Sequence, residues 1–222
     1  MSLSREQFDA HLKRSVHLKH LMYTPESSPP AEGYPLILSL HGAGQRGDNL
    51  DLLEDHGLLK YVNATPDFPY LVCTPQCPES DSWILYLDDL LLLLDEIVEK
   101  YPVDPRRVIL MGLSMGANGT WLLACKAPQK FAAVVPVCGW GDWLLDFPDR
   151  VSAMKSVPVW AFHGEEDDVI PVEESRKMID ALNACGGEAE LTTYPDIAHE
   201  SWDLAFAEKK LYTWLRSKRS NA

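Results

Sequence analysis

The sequence has no excess of basic residues: 20 lysines and arginines face 33 aspartates and glutamates, for a net charge of -13. Nucleic acids and anionic membranes bind basic surfaces, so neither is an expected partner of this chain. Long apolar segments are missing as well. The apolar run at residues 90–94 is short and lies between aspartates, and the first thirty residues mix charges, histidines and prolines. We therefore expect neither a membrane span nor a signal peptide.

Cysteine and histidine pairs at zinc-binding spacing are also lacking. Cys73 and Cys77 lie four residues apart across a proline-bearing turn, and no second pair accompanies them. Five cysteines is an odd number, and a chain of 222 residues does not depend on disulfides for its stability. We expect reduced thiols in a cytoplasmic protein that holds no metal and no cofactor.

Internal repeats and low-complexity segments are absent, and 46% of the residues are hydrophobic, which suits the core of one domain over residues 1–222. Apolar strand-like stretches alternate with helical patterns. Strands are predicted at residues 16–23, 36–40, 69–75, 108–113, 131–138, 157–163 and 188–194. Helices are predicted at residues 48–61, 83–101, 117–127, 172–185 and 202–218, with a possible short helix over 1–15 capped by Ser4. This alternation predicts an α/β domain whose mostly parallel sheet has helices on both faces.

One predicted strand leads directly into a serine between two glycines. Residues 108–113 are apolar, Gly112-Leu113-Ser114-Met115-Gly116 follows the pattern G-x-S-x-G, and a helical pattern follows at once. A strand that turns sharply into a helix around a serine is typical of a nucleophile elbow. Glycines are expected beside such a serine because strand and helix crowd together there. This context favours Ser114 as a nucleophile over a plain structural turn.

Two further polar residues follow later strands. Asp167 comes after the strand at residues 157–163, and His199 comes after the last strand. Active sites of open α/β sheets lie beyond the carboxyl ends of the strands, so Ser114, Asp167 and His199 are expected to meet there. A neutral imidazole can take the serine proton, and a carboxylate can hold that imidazole and stabilise its charged form.

Other residues compete for these roles. Asp168 is the second candidate for the acid, in a turn that also contains Glu165 and Glu166. His163 and His41 stand beside glycines at strand ends and are weaker candidates for the base, since hydrogen bonds that fix their loops explain them better. His56 is interpreted as a surface residue of a helix.

An acyl-transfer site also needs backbone N–H donors for the developing oxyanion. The residue after the nucleophile, Met115, is one candidate, and the loop His41-Gly42-Ala43-Gly44 after the strand at residues 36–40 offers Ala43 as the other. The alternative for this loop is a glycine-rich turn that only connects a strand to a helix.

The chain resembles the small serine carboxylesterases of the α/β-hydrolase superfamily: the phospholipase/carboxylesterase and dienelactone-hydrolase-like proteins, and the esterases described as predicted peptidases. The resemblance begins near residue 16. It rests on the elbow, the H-G-x-G loop, His163-Gly164 with Asp167 and Pro171, and His199-Glu200-Ser201-Trp202. It implies the α/β-hydrolase fold with little or no lid, the triad order Ser–Asp–His, and Asp167 as the acid because it lies four residues after His163. Dienelactone hydrolases proper use a cysteine nucleophile, so Ser114 argues against that activity. Ala117 replaces a glycine that this family often has.

The substrate is expected to be a small carboxylic ester with a short-to-medium acyl group or an aryl group. Trp83, Trp140 and Trp202 are candidate walls of the cleft, with the segment 139–145 around Trp140, although each could equally be a packing residue. Arg46 could meet an anionic substrate, but a salt bridge that fixes its loop is favoured. The alternatives are a small-peptide peptidase, an acyl thioesterase, and a non-catalytic binding protein on the same scaffold. The sequence does not predict an oligomeric state.

Overall fold

The computed structural model describes residues 14–141 and 145–220, in which seven strands form one sheet. The strands are β1 (His20–Tyr23), β2 (Tyr34–Leu40), β3 (Leu71–Pro75), β4 (Val103–Leu113), β5 (Ala133–Val137), β6 (Val159–Gly164) and β7 (Ala189–Tyr194). Their order is β1-β3-β2-β4-β5-β6-β7. Only β1 runs antiparallel to its neighbour, and the other pairings are parallel. The predicted mostly parallel sheet of about seven strands is confirmed.

Six α-helices connect or flank these strands: α1 (Gly57–Asn63), α2 (Leu87–Lys100), α3 (Met115–Lys126), α4 (Val172–Ala184), α5 (Trp202–Ala207) and α6 (Lys209–Arg216). Short 3-10 turns follow β2 at Ala43–Gln45, precede α1 at Leu50–Leu53 and precede α2 at Trp83–Tyr86. Among the described residues no helix has the length and apolar character needed to cross a bilayer.

Helices cover both faces of the sheet, which explains the continuous apolar runs in its central strands. Alternate residues of β2 and β4 point to opposite faces. On one face they pack with residues of α2, α3 and α4, including Leu90, Trp121 and Met178. On the other face they pack with residues of α1, α5 and α6, including Leu58, Phe206 and Leu215. Strands buried on both sides read as continuous apolar runs, as the sequence showed.

Two predicted helices are interrupted. The pattern at residues 48–61 resolves into a 3-10 turn and α1, which begins at Gly57 in a left-handed conformation (φ +68°) that a helix cannot contain. The single helix predicted at residues 202–218 breaks at Glu208, whose extended backbone separates α5 from α6. The Glu208 side chain then accepts the Lys210 N–H at 2.9 Å and caps α6. The predicted helix at residues 1–15 lies almost wholly outside the described residues.

Candidate active site

Ser114 lies in the sharp turn between β4 and α3. Its backbone has φ +51° and ψ -119°, a strained conformation for a residue with a side chain. The two flanking glycines make this turn possible. A Cβ on Gly112 would lie 2.4 Å from the carbonyl oxygen of Gly116, and a Cβ on Gly116 would lie 2.0 Å from that of Leu40. Strand and helix backbones are therefore in direct contact at this point, which is the reason the sequence analysis expected for the glycines.

Ala117 fits this crowded turn, where the family resemblance implied a glycine. The residue opposite its methyl group is Gly139, and a Cβ on Gly139 would lie 2.5 Å from the Cβ of Ala117. The missing side chain at residue 139 thus provides the space for the methyl group of Ala117.

The structure brings Ser114, His199 and Asp167 together from three separate loops. His199 Nε2 lies 2.9 Å from Ser114 Oγ, and His199 Nδ1 lies 2.7 Å from Asp167 Oδ2. The Asp167 side chain is fully buried, and that of His199 is 16% exposed. In this arrangement Nδ1–H donates to the carboxylate, and Nε2 is left as the acceptor for the serine hydroxyl.

The Asp167 carboxylate is held on both oxygens. Oδ1 accepts the backbone N–H groups of Val169 and Ile170 at 2.9 and 2.8 Å. Oδ2 lies 2.7 Å from His199 Nδ1 and 3.1 Å from His163 Nε2. Asp168, the competing candidate for the acid, is exposed. These contacts fix the direction in which Asp167 presents its charge to His199.

His163 lies beneath the carboxylate and does not contact Ser114. Its Nε2 is 2.9 Å from the Ile170 carbonyl oxygen, and its Nδ1 is 2.7 Å from Ser175 Oγ. The side chain is fully buried, and this burial lowers the pKa of His163. A neutral His163 donates from Nε2 and accepts the Ser175 hydroxyl at Nδ1, so it supports the loop that carries Asp167.

His41 has a comparable structural role at the other side of the site. Its Nε2 accepts the Cys77 N–H at 2.9 Å, so Nδ1 carries the proton and donates to the Gly42 carbonyl oxygen at 2.7 Å. Burial lowers the pKa of His41 to about 4, which keeps the ring neutral. Both weaker candidates for the base are thus engaged in fixing loops.

The two candidate oxyanion donors lie beside Ser114. Met115 is the first residue of α3, so its N–H has no partner within the helix. Ala43 begins the 3-10 turn after β2 and lines the same cavity as Ser114. A Cβ on the preceding Gly42 would lie 3.6 Å from the Cβ of Ser114, which places this loop directly against the nucleophile. The N-terminal end of α3 also favours negative charge there.

Two side chains hold the loop around Ala43. Arg46 donates from Nε to the Ala43 carbonyl oxygen at 2.9 Å and from a guanidinium nitrogen to that of Asp81 at 3.2 Å. Arg46 therefore fixes the loop as expected, but through carbonyl groups where a salt bridge was predicted. Trp83 donates its indole N–H to the His41 carbonyl oxygen at 3.0 Å.

The three candidate tryptophans have different positions. Trp83 is 1% exposed, so the prediction that it lines the cleft is wrong: its ring is part of the core and supports the loop. Trp140 is partly buried and packs against the core, and its place in the wall of the cleft stays a prediction. Trp202 lines the cavity, with its ring edge-on to His199 at 5.5 Å. Asp142, Trp143 and Leu144 of the predicted wall lie outside the described residues.

The cavity beside Ser114 has a volume of about 370 Å³, within the range of small-molecule sites. Its walls combine the loop after β2 with apolar side chains and the residues that follow His199; they are Gly42, Ala43, Gly44, Gln45, His56, Leu113, Ser114, Val169, His199, Glu200 and Trp202. Sequence reasoning missed Val169 and Glu200, although each lies within two residues of a triad candidate. It also placed His56 on a helix surface, whereas His56 precedes α1 and lines this cavity.

Cys138 packs under the site and was also missed. Its sulfur belongs to a group with Asp167 and His199 whose potential ligand atoms all lie within 4.8 Å of one another. Within this group Asp167 and His199 are hydrogen-bonded to each other at 2.7 Å, the arrangement that proton transfer requires. Burial raises the pKa of Cys138 to about 12, which keeps the thiol neutral and excludes it as a thiolate nucleophile.

Comparison with known proteins gives a family and several relatives. The model of the phospholipase/carboxylesterase family matches residues 87–215, more than half of the chain. Acyl-protein thioesterase 1 of Gibberella zeae is 31% identical over 103 residues, which are 44% of this chain and 43% of that protein. A bifunctional acetylxylan esterase/xylanase of Neocallimastix patriciarum is 25% identical over 90% of this chain, which corresponds to 28% of its own length.

A solved structure of a thermostable esterase is 30% identical and superimposes with a TM-score of 0.76, covering 90% of this chain and 59% of that one. The predicted α/β-hydrolase fold is confirmed by this likeness. The chain matches less than half of the length of either curated relative. The family model covers both the elbow at Ser114 and the loops that carry Asp167 and His199. This chain belongs to the phospholipase/carboxylesterase family.

Proposed function

We propose that this chain is a serine carboxylesterase that cleaves short-to-medium acyl or aryl carboxylic esters through an acyl-enzyme on Ser114. The observation that carries the proposal is the continuous chain of hydrogen bonds from Ser114 Oγ through His199 to the buried Asp167. Each link has the length that proton transfer requires. A small cavity with mostly apolar walls lies directly above the serine.

The reaction follows from this geometry. Ser114 Oγ attacks the ester carbonyl while His199 Nε2 takes its proton, and the Asp167 carboxylate stabilises the imidazolium that forms. The N–H groups of Met115 and Ala43 receive the oxyanion, and each such donor typically contributes about 3 kcal/mol of transition-state stabilisation. His199 then protonates the leaving alcohol. Water enters, gives its proton to the same imidazole, and releases the acid from Ser114.

Thioesters are the second candidate substrates. The support is the 31% identity to a protein named acyl-protein thioesterase, over a segment that is 44% of this chain. The same acyl-enzyme serves both bonds, because only the leaving group differs. A panel of matched oxygen esters, thioesters and peptide amides separates these activities from each other and from a peptidase. The cytoplasmic location, the single domain, and the absence of a metal and a cofactor stay predictions from the sequence.

The test is replacement of the nucleophile. Ser114→Ala is expected to lower kcat for p-nitrophenyl acetate and butyrate by a factor on the order of 10⁶, as for other serine triads. The matched control is Ser152→Ala, an exposed serine in the 3-10 turn Asp149–Met154, which should leave kcat unchanged. Undiminished turnover by Ser114→Ala, with the fold intact by circular dichroism, would end the assignment. If the wild-type protein and the Ser152→Ala control also fail to hydrolyse these esters, the non-catalytic alternative is favoured.

A further inference from the structure

Among the described residues that line the cavity beside Ser114, one side chain is a carboxylate. Of the described residues that form its walls, Glu200 is acidic, His56 and His199 are imidazoles, and none is a lysine or an arginine. Arg46, which follows the oxyanion loop, is occupied by two backbone carbonyl oxygens. The walls thus carry a negative charge that no wall residue neutralises.

Lys60, a cation that feels the charge of Glu200, is already paired with another carboxylate. Lys60 Nζ lies 2.6 Å from Asp203 Oδ2. The pKa of Lys60 is raised mainly by its hydrogen bond to Asp203 and more weakly by the charge of Glu200. Together Glu200, Asp203 and Lys60 carry a net charge of about -1. The exposed residues Glu165, Glu166 and Asp168, on the loop that leads to Val169, are acidic as well.

The position of Glu200 determines which part of a substrate meets this charge. His199 must protonate the leaving oxygen, so the alcohol part of an ester lies beside the His199 ring. Glu200 is the next residue in the chain, and both line the cavity. Trp202 lines the same side, and its ring packs edge-on against that of His199. A carboxylate and an indole side by side form a surface that favours a quaternary or protonated amine.

We propose that this cleft selects esters by the charge of their alcohol part, with Glu200 as the specificity-determining residue. Cationic alcohols are favoured, neutral ones are accepted, and alcohols that carry a carboxylate are disfavoured. The proposal rests on the esterase function proposed above. Glu200 is exposed, so the dielectric constant of water, about 80, applies; at that value two unit charges about 8 Å apart alter a rate about two- to threefold. A cation and an anion should therefore differ about fivefold to tenfold in kcat/KM.

Three acetate esters of similar size test this directly: acetylcholine, 3,3-dimethylbutyl acetate and 3-acetoxypropanoate. All three share one acyl group, so differences between them report on the alcohol side. We expect kcat/KM to be highest for acetylcholine, intermediate for 3,3-dimethylbutyl acetate and lowest for 3-acetoxypropanoate. Raising the ionic strength from about 0.01 to about 0.5 M should reduce the ratio of kcat/KM for acetylcholine to kcat/KM for 3-acetoxypropanoate, because salt screens exposed charges.

Variants assign the effect to one residue. Glu200→Gln should lower the ratio of kcat/KM for acetylcholine to kcat/KM for 3-acetoxypropanoate about fivefold to tenfold, and Glu200→Lys should lower it further. The matched control is Glu190→Gln, which removes an equal charge near the start of β7, the strand end opposite the site, and should leave the ratio unchanged.

The two proposals fail in different ways. Suppose that the wild-type protein hydrolyses 3,3-dimethylbutyl acetate and that both Glu200 variants keep the wild-type ratio of kcat/KM for acetylcholine to kcat/KM for 3-acetoxypropanoate. Selection by Glu200 is then wrong and the esterase function stands. The same holds if the wild-type ratio is one. If the wild-type protein hydrolyses none of the three esters nor p-nitrophenyl acetate, the esterase function itself is wrong and the inference falls with it.

Discussion

Replacing Asp167 by asparagine should separate catalysis from stability. Oδ1 accepts two backbone N–H groups, from Val169 and Ile170. In the variant the amide oxygen must keep these two bonds, because an amide nitrogen cannot accept them. The NH₂ group is then turned toward His199 Nδ1 and His163 Nε2, both of which donate in the wild-type protein.

Two donors that face each other force both rings to change tautomer. His163 can do so, because its Nδ1–H can then donate to Ser175 Oγ, whose own hydroxyl can turn toward the Gly139 carbonyl oxygen, 3.4 Å away, at the cost of the bond from Nε2–H to the Ile170 carbonyl oxygen. His199 can do so only by placing its proton on Nε2, where it can no longer accept the Ser114 hydroxyl. The loss is therefore concentrated in catalysis.

We expect kcat/KM for p-nitrophenyl butyrate to fall about 10⁴-fold, or about 5 kcal/mol of transition-state stabilisation. Unfolding free energy should fall by about 1 to 2 kcal/mol, which lowers Tm by a few degrees in a chain of this size. Asp168→Asn is the control, since Asp168 is the exposed neighbour that competed for the same role. Activity of Asp167→Asn within tenfold of wild type, or a larger loss in Asp168→Asn, would refute this reasoning.

Three further predictions concern the scaffold. Gly116→Ala should reduce the free energy of unfolding by more than about 3 kcal/mol, because its Cβ would lie 2.0 Å from the Leu40 carbonyl oxygen, whereas Gly44→Ala, with nothing within 4 Å, should leave it nearly unchanged. Urea denaturation measures both. Trp83→Phe keeps one aromatic ring but removes the donor to the His41 carbonyl oxygen and part of a buried indole, which should cost about 2 to 3 kcal/mol of stability and lower kcat severalfold; an unchanged kcat argues against a role in holding the loop. Burial lowers the pKa of His41 from 6.5 to about 4, so below pH 6.5 the unfolded chain binds a proton that the folded chain excludes. Stability should fall by about 3 kcal/mol between pH 6.5 and pH 4 in urea titrations, and a flat profile contradicts the buried neutral ring.

The triad candidates could be placed from the sequence because each depends on short-range information. Ser114 stands in a strand–serine–helix pattern, and Asp167 and His199 each follow a strand whose carboxyl end must reach the same sheet edge. Parallel topology converts these local patterns into proximity in space. The central strands β2 to β6 were predictable because burial on both faces leaves continuous apolar runs, whereas the edge strands β1 and β7 are only partly buried.

Other features depend on contacts that periodicity does not encode. Trp83 and Trp202 are both tryptophans beside helix starts, yet one is 1% exposed and the other lines the cavity. Contacts with residues that are distant in the sequence decide which of these two tryptophans lines the cavity. The position of His56 depends on the left-handed backbone of Gly57, and a pattern of apolar residues carries no sign of that conformation. The break at Glu208 similarly depends on one side chain capping α6.

The most direct test of the central claim is chemical labelling of Ser114. After incubation with a fluorophosphonate and digestion with trypsin, the residues between Arg107 and Lys126 form one peptide in which Ser114 is the only serine. Mass spectrometry should find one phosphonyl adduct on that serine in the native protein, and none after heat denaturation or in His199→Ala, where no imidazole activates the hydroxyl. An adduct at another residue, or equal labelling of His199→Ala, contradicts the account.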